Sequence, residues 1–275
     1  MTAIIVIKRD GRRSLLRWLL PGFRGVTQER KEVGEQLFQY LLCEAELPER
    51  PGKRCYARVK KQIVDVLTRQ NCRRILLYDP AGTALRRELE ECGFEIPDAG
   101  ALKHLLFEKL LDFAIERRGE MAERAALVDY EGNFQSEELL SLLCRKFRYV
   151  TLITANPSYF ERTAERIMEE MGLAVQITGE GESECHCGIY VLVSGGERTL
   201  YRYAKNRNNI VLCMSEENQT NFIGLRNVLR QPVVRLPQEL MCDFPAEITD
   251  TQAAELMAAE RVEGLTEVLE IVGSY

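Results

Sequence analysis

From residue 73 onward, short runs of aliphatic and β-branched residues alternate with longer amphipathic stretches, and this alternation limits the folds open to the chain. A strand buried on both faces reads as a short continuous apolar run. A covering helix reads as apolar residues three and four apart. The spacing predicts strands over 74–78, 125–129, 149–154, 174–178, 188–194 and 209–214, with helices near 82–92, 101–118, 135–146, 157–171 and 218–230. A last helix should follow Thr249-Asp250-Thr251-Gln252, a capping-box pattern. Strands separated by helices cannot pair as hairpins, so the expected class is α/β, a doubly wound and mostly parallel sheet.

An internal echo supports the pattern. Asp79-Pro80 leads through a helix to Gly93, and Asn156-Pro157 leads through another to Gly172. In each case an Asp or Asn is placed to cap the helix, Pro takes its first position and Gly ends it, as expected of two β-turn-α-β units.

The first 72 residues differ. A strand is expected over 3–7, then a turn at Asp10-Gly11, a second apolar stretch over 15–20, and helices over about 28–46 and 53–70. Val33, Leu37, Phe38, Leu41 and Leu42 supply the helical spacing in the first of these helices. Residues 1–74 carry 17 basic and 8 acidic side chains, a net +9, and residues 75–275 carry 20 and 34, a net −14. The predicted organisation is thus a basic segment over 1–72, an α/β domain over 73–245 and a helical tail over 246–275 packing on that core.

With 45% hydrophobic and 29% charged residues, the composition excludes disordered and collagen-like classes. No run approaches the roughly 20 apolar residues of a membrane helix. The stretch over 15–20 is interrupted by Arg17 and makes a poor secretory signal, so no membrane partner is expected and a cytoplasmic location is. Nine cysteines, an odd number scattered among apolar neighbours, point to reduced buried thiols.

In open α/β sheets ligands bind beyond the carboxyl ends of the strands, which directs attention to the residues that follow each strand. After the strand at 125–129 come Asp129, Gly132 and Asn133; after 149–154, Thr154 and Asn156; after 188–194, Ser194, Gly195 and Gly196. These eight are the candidate cofactor-binding residues. Asp129 is the best-placed carboxylate, and it serves equally well to order the Gly132 turn. The Gly195-Gly196 pair suits either a flexible turn or a close approach of backbone N–H groups to an anion.

The ordering over 125–214 resembles the Rossmann superfamily, specifically the nucleotide domains of NAD(P)-dependent dehydrogenases. The resemblance implies a dinucleotide over Gly132, Thr154 to Asn156 and Ser194 to Gly196. The sequence departs from the three-glycine fingerprint: with Gly132 as the middle glycine, Tyr130 and Gln135 stand at the other two positions. Thr154-Ala155-Asn156 offers no acid for a ribose hydroxyl, which disfavours NAD, and Arg162 gives NADP weak support. The run over 153–167, ending in Gly172 and a strand, also resembles the second β-α-β segment of S-adenosylmethionine-dependent methyltransferases. It departs from them in the same two places.

Other chemistry finds little support. Cys185 and Cys187 on a strand would face away from His186, so a zinc site there needs a bend. The only other histidine, His104, lies in no nucleophile motif. The basic segment could attract nucleic-acid phosphates, but the chain is acidic overall, with a pI near 5.4, and holds no nucleic-acid module, so an acidic partner within the protein is the stronger expectation. The expected function is a small-ligand or nucleotide-binding Rossmann-like protein with a degenerate glycine loop and no required catalysis. The alternatives are an NADP-dependent oxidoreductase, a methyltransferase-like protein that binds S-adenosylmethionine, and an interaction protein that works through its basic segment. A homo-oligomer is compatible with each.

Overall fold

The computed structural model describes residues 1–10, 26–34, 37–48, 52–80, 84–97, 99–118, 123–179, 187–214 and 227–274. The chain divides into two compact units. One comprises Met1–Asp98 with Arg235–Glu270, the other Ala99–Val234 with Ile271–Tyr275.

The first unit is built on β1 (Thr2–Asp10), β2 (Val26–Val33), β3 (Phe38–Pro48), α1 (Lys53–Arg69), β4 (Arg74–Tyr78) and α2 (Ala84–Glu91). Its sheet has the order β2-β3-β1-β4, with β1 parallel to both β3 and β4 and β2 antiparallel to β3. Ala3, Ile5 and Ile7 of β1 join Leu41, Cys43, Ala45 and Leu47 of β3 in one buried face, and Val59, Ile63, Val66 and Leu67 of α1 cover it. Those four helical positions recur at the 3.6-residue period, which is why the stretch folds as predicted.

The helix expected over 28–46 is instead the antiparallel pair β2 and β3. The apolar spacing misled because β3 is buried on both faces. Leu41, Cys43, Ala45 and Leu47 point one way and Phe38 and Tyr40 the other, so two period-2 patterns overlap. Gly34, at φ +60°, turns the chain between the two strands. The charged β2 suits an edge, where such residues discourage pairing with other chains.

The strand at 74–78, expected to open the Rossmann-like domain, is an edge strand of this first sheet. The division between units falls at 98/99 instead of 72/73 because β4 pairs with β1.

The second unit contains α3 (Ala99–Leu105), α4 (Phe107–Arg118), β5 (Arg124–Val128), α5 (Phe134–Lys146), β6 (Tyr149–Ile153), α6 (Pro157–Met171), β7 (Val175–Thr178), β8 (Ile189–Leu192), α7 (Glu197–Ala204), β9 (Ile210–Cys213) and β10 (Val228–Leu229). Its six strands are all parallel, in the order β10-β9-β8-β5-β6-β7. Every residue of β8 and β9 is buried, as the continuous apolar runs required. Ala126 and Val128, two apart on β5, share one face with Ile153, Leu192 and Val211. Leu200, Tyr203 and Ala204 of α7 pack on that face. Helix α7 had no counterpart in the predicted elements, and the helix expected over 101–118 is interrupted at Leu106. Most of the helix expected over 218–230, and the apolar stretch over 15–20, lie outside the described residues. Val228 and Leu229, assigned to that helix, are strand β10.

Near the carboxyl terminus, β11 (Pro232–Arg235) and β12 (Glu270–Ser274) form a two-stranded ladder, and α8 (Gln238–Met241), α9 (Asp250–Ala259) and α10 (Leu265–Val268) lie between them in the sequence. The capping box at Thr249 is present with both reciprocal hydrogen bonds to Gln252. The expected tail on the Rossmann-like core is corrected: residues 235–270 belong to the first unit. There Tyr40 stacks on Phe244 with ring centroids 5.7 Å apart and donates from its hydroxyl to the Asp243 carbonyl at 2.6 Å.

This return of the chain removes the charge asymmetry of the sequence. The first unit holds 21 basic and 23 acidic residues, a net −2, and the second 16 and 19, a net −3. Basic side chains of the first segment pair within their unit, among them Lys8 with Glu44, Lys60 with Glu88, and Arg74 with Glu95 and Glu260.

Candidate ligand-binding edge

Numbered from β5 in chain order, the six parallel strands run 6-5-4-1-2-3. This is the doubly wound order in which successive crossovers leave β5 in opposite directions, and sheets of this order generally take ligands at the carboxyl ends of the strands beside that reversal, here β5 and β8. The turns after β5, β6 and β8 all end at this edge. They carry all eight candidate residues: Asp129, Gly132, Asn133, Thr154, Asn156, Ser194, Gly195 and Gly196.

The turn after β5 is organised by one carboxylate. Asp129 is fully buried. Its Oδ1 accepts from the N–H groups of Glu131 and Gly132, both at 3.1 Å, and from the Ser194 hydroxyl at 3.0 Å. Its Oδ2 accepts from the Asn133 N–H and the Ser136 hydroxyl, both at 2.7 Å. Burial by itself would push this carboxyl up. The donors from Asn133, Ser136, Ser194 and Gly132 outweigh it and hold the group below the ordinary carboxylate range.

Ser194 does two things at once. Its oxygen accepts the Tyr130 N–H at 2.7 Å while its hydroxyl donates to Asp129, so the turn after β8 is tied to the turn after β5 across the strand reversal. Asn156 ties in the turn after β6: its side-chain amide donates to the carbonyls of Tyr130 and Glu131 at 3.3 and 3.2 Å. The Thr154 hydroxyl oxygen in turn accepts the Asn156 N–H at 3.1 Å. Asn156 was expected to cap α6, but its side chain makes no capping bond there. Asn133 does cap α5, accepting from the Gln135 N–H at 3.0 Å.

The glycines serve the backbone. Gly132 has φ +81° and Gly195 φ +107°, conformations that side chains of L residues rarely adopt. A Cβ on Gly195 would also lie 2.9 Å from the Thr199 hydroxyl oxygen. Gly196 starts α7, its carbonyl accepting from the Thr199 and Leu200 N–H groups.

Three residues of this edge escaped the sequence reading. Ser136 is buried against Asp129. Tyr159, in the first turn of α6, lies over Gly132, with ring carbons 3.4 Å from where a Cβ would stand. Glu137 accepts from the Thr163 hydroxyl at 2.9 Å, bracing α5 against α6. A hydroxyl three residues beyond an N-cap was the only available hint of Ser136, and nothing local marks Tyr159. Tyr130 faces inward and packs on the cluster that contains Tyr190 and Tyr203, whose rings stack at 4.6 Å.

Asp129 is poorly suited to proton transfer, because every donor around it stabilises its charged form. The turn that would cradle a pyrophosphate likewise directs the N–H groups of Glu131, Gly132 and Asn133 at Asp129. Cys185 and His186 lie outside the described residues, as do Ser215 to Thr220; Cys187 is buried. Among the described residues no cluster of three or more His, Cys, Asp or Glu is placed to hold a metal ion, and no helix is long and apolar enough to cross a membrane. Two open grooves, of about 620 and 460 Å³, are lined by residues of the first unit. The smaller is lined by the mutually paired Lys8 and Glu44. Volume alone makes neither a site.

The fold is thus a Rossmann-like α/β fold in its second unit. No protein-family model matches the chain, and no curated protein matches it. Among solved structures it is similar to L-tryptophan dehydrogenase from Nostoc punctiforme at 11% identity and a TM-score of 0.37, covering 84% of this chain and 68% of that one. It is also similar to ornithine carbamoyltransferase from Gloeobacter violaceus at 16% identity and a TM-score of 0.33, covering 96% and 85%.

Proposed function

We propose that this chain is a small-ligand-binding protein of the Rossmann type, with its ligand on the carboxyl edge formed by the turns after β5, β6 and β8. The observation that carries this reading is the strand reversal at β5 and β8, with the residues from Asp129 to Asn133, Thr154 to Asn156 and Ser194 to Gly196 gathered beside it. Binding without catalysis is favoured because the best-placed carboxylate is saturated by hydrogen bonds. An NADP-dependent oxidoreductase and an S-adenosylmethionine-dependent enzyme would use the same edge, so one experiment addresses all three. The near-equal charges of the two units weaken the reading in which a basic segment recruits nucleic acid.

The test is thermal unfolding of the full chain with NADH, NADPH, S-adenosylmethionine and a set of nucleosides and nucleotides. A ligand at 100 times its Kd adds about 2.7 kcal/mol to stability, which raises Tm by several degrees. A flat response to every compound would remove the reading.

A further inference from the structure

We propose that this edge selects a nucleoside or a similar planar heterocycle that brings no phosphate to the Gly132 turn, and that Tyr159 selects it by stacking. The proposal rests on the reading of the edge as a binding site, and two independent features of the turn carry it.

The first is that the anion position is filled from within. A glycine-rich turn holds a pyrophosphate through backbone N–H groups aimed at the ligand. Here the N–H groups of Glu131, Gly132 and Asn133 are all directed at the Asp129 carboxylate, which two hydroxyls also hold. An incoming phosphate would have to displace a covalently tethered anion from its own donors while repelled by its charge. A neutral or cationic ligand meets neither obstacle. Gly132 itself is explained by its positive φ, with no close approach of a phosphate needed.

The second is an aromatic ring that is held in place yet left open. Tyr159 remains 42% exposed although two contacts hold its ring. Its ring meets the buried Phe160 edge-on at 4.9 Å and 80°, and it lies against Gly132. An exposed tyrosine ordinarily rotates freely. One held along its ring offers a preformed stacking surface, and loss of such a surface typically lowers affinity for a base about tenfold or more.

The experiment is isothermal titration of the full chain with adenosine, guanosine, cytidine and uridine, and with NAD and NADP, on wild type, Tyr159→Ala and Tyr159→Phe. At least one nucleoside should bind, with NAD and NADP at least tenfold weaker. Tyr159→Ala should lower nucleoside affinity about tenfold or more without lowering Tm, and Tyr159→Phe, which keeps the ring, should stay within about threefold of wild type. A dinucleotide that binds as tightly as any nucleoside overturns the proposal and leaves the binding edge standing. So does an unchanged affinity in Tyr159→Ala. If no compound binds, the edge itself is misread and both readings fall together.

Discussion

Two buried aspartates, each directly after a parallel strand, solve the same electrostatic problem in opposite ways. Asp79 follows β4 in the first unit, and its side chain is only 5% exposed. A full positive charge compensates it: Arg9, near the end of β1, donates from Nη2 to both Asp79 oxygens at 2.8 and 3.0 Å and from Nη1 to the Pro48 carbonyl of β3 at 3.3 Å. Asp129 follows β5 and, among the described residues, has no cation as a hydrogen-bond partner. Five neutral donors hold it, three of them backbone N–H groups of the next four residues. One device joins three strand ends through a long-range ion pair. The other makes the carboxylate the centre of its own turn.

The two devices should fail differently, and the ion pair should fail harder. Arg9→Met leaves a buried carboxylate without its cation and is expected to cost about 3–5 kcal/mol in urea unfolding. Asp129→Asn keeps the shape but turns an amide N–H₂ toward donors, for which about 2–3 kcal/mol is expected at pH 7. A larger loss for Asp129→Asn than for Arg9→Met would invert the comparison.

Acid sharpens it further. The Asp129 carboxyl lies below its unfolded value of about 3.9, so its contribution is complete above that pH and is lost as the pH falls through the folded-state value. The stability gap between wild type and Asp129→Asn should therefore narrow below about pH 4, and a gap constant down to pH 2 would show that the charge contributes nothing. The smallest change is Ser194→Ala, which removes one neutral donor of five together with the acceptor of the Tyr130 N–H and should cost about 1–2 kcal/mol. Two-state unfolding followed by circular dichroism suffices to measure it.

The difference also explains what the sequence could disclose. The Asp129 turn was legible because its parts are contiguous: a strand, Asp129, Gly132, a capping Asn133 and a helix within a dozen residues. The echo between 75–96 and 152–175 was legible for the same reason. Each segment is a strand and helix followed by extended chain, with Gly93 and Gly172 both at positive φ. Yet the two copies serve different sheets, and no local pattern could have shown that. Arg9 and Asp79 are 70 residues apart, and nothing near either one announces the other. Tyr159 looked like an ordinary first-turn residue until α6 packed beside the Gly132 turn.

The sequence by itself determined the class of the second unit, because strand and helix periods are local and five apolar runs separated mostly by helices leave few ways to bury them. It also marked the eight strand-end residues, since turn chemistry is carried by neighbours along the chain. Only the tertiary structure decided that β4 belongs to the first sheet, that residues 235–270 return to cancel the basic charge of the amino-terminal segment, and that Ser194 and Asn156 close on the Asp129 turn. Those outcomes depend on pairing between distant segments, which is settled by mutual burial and charge and not by any segment alone.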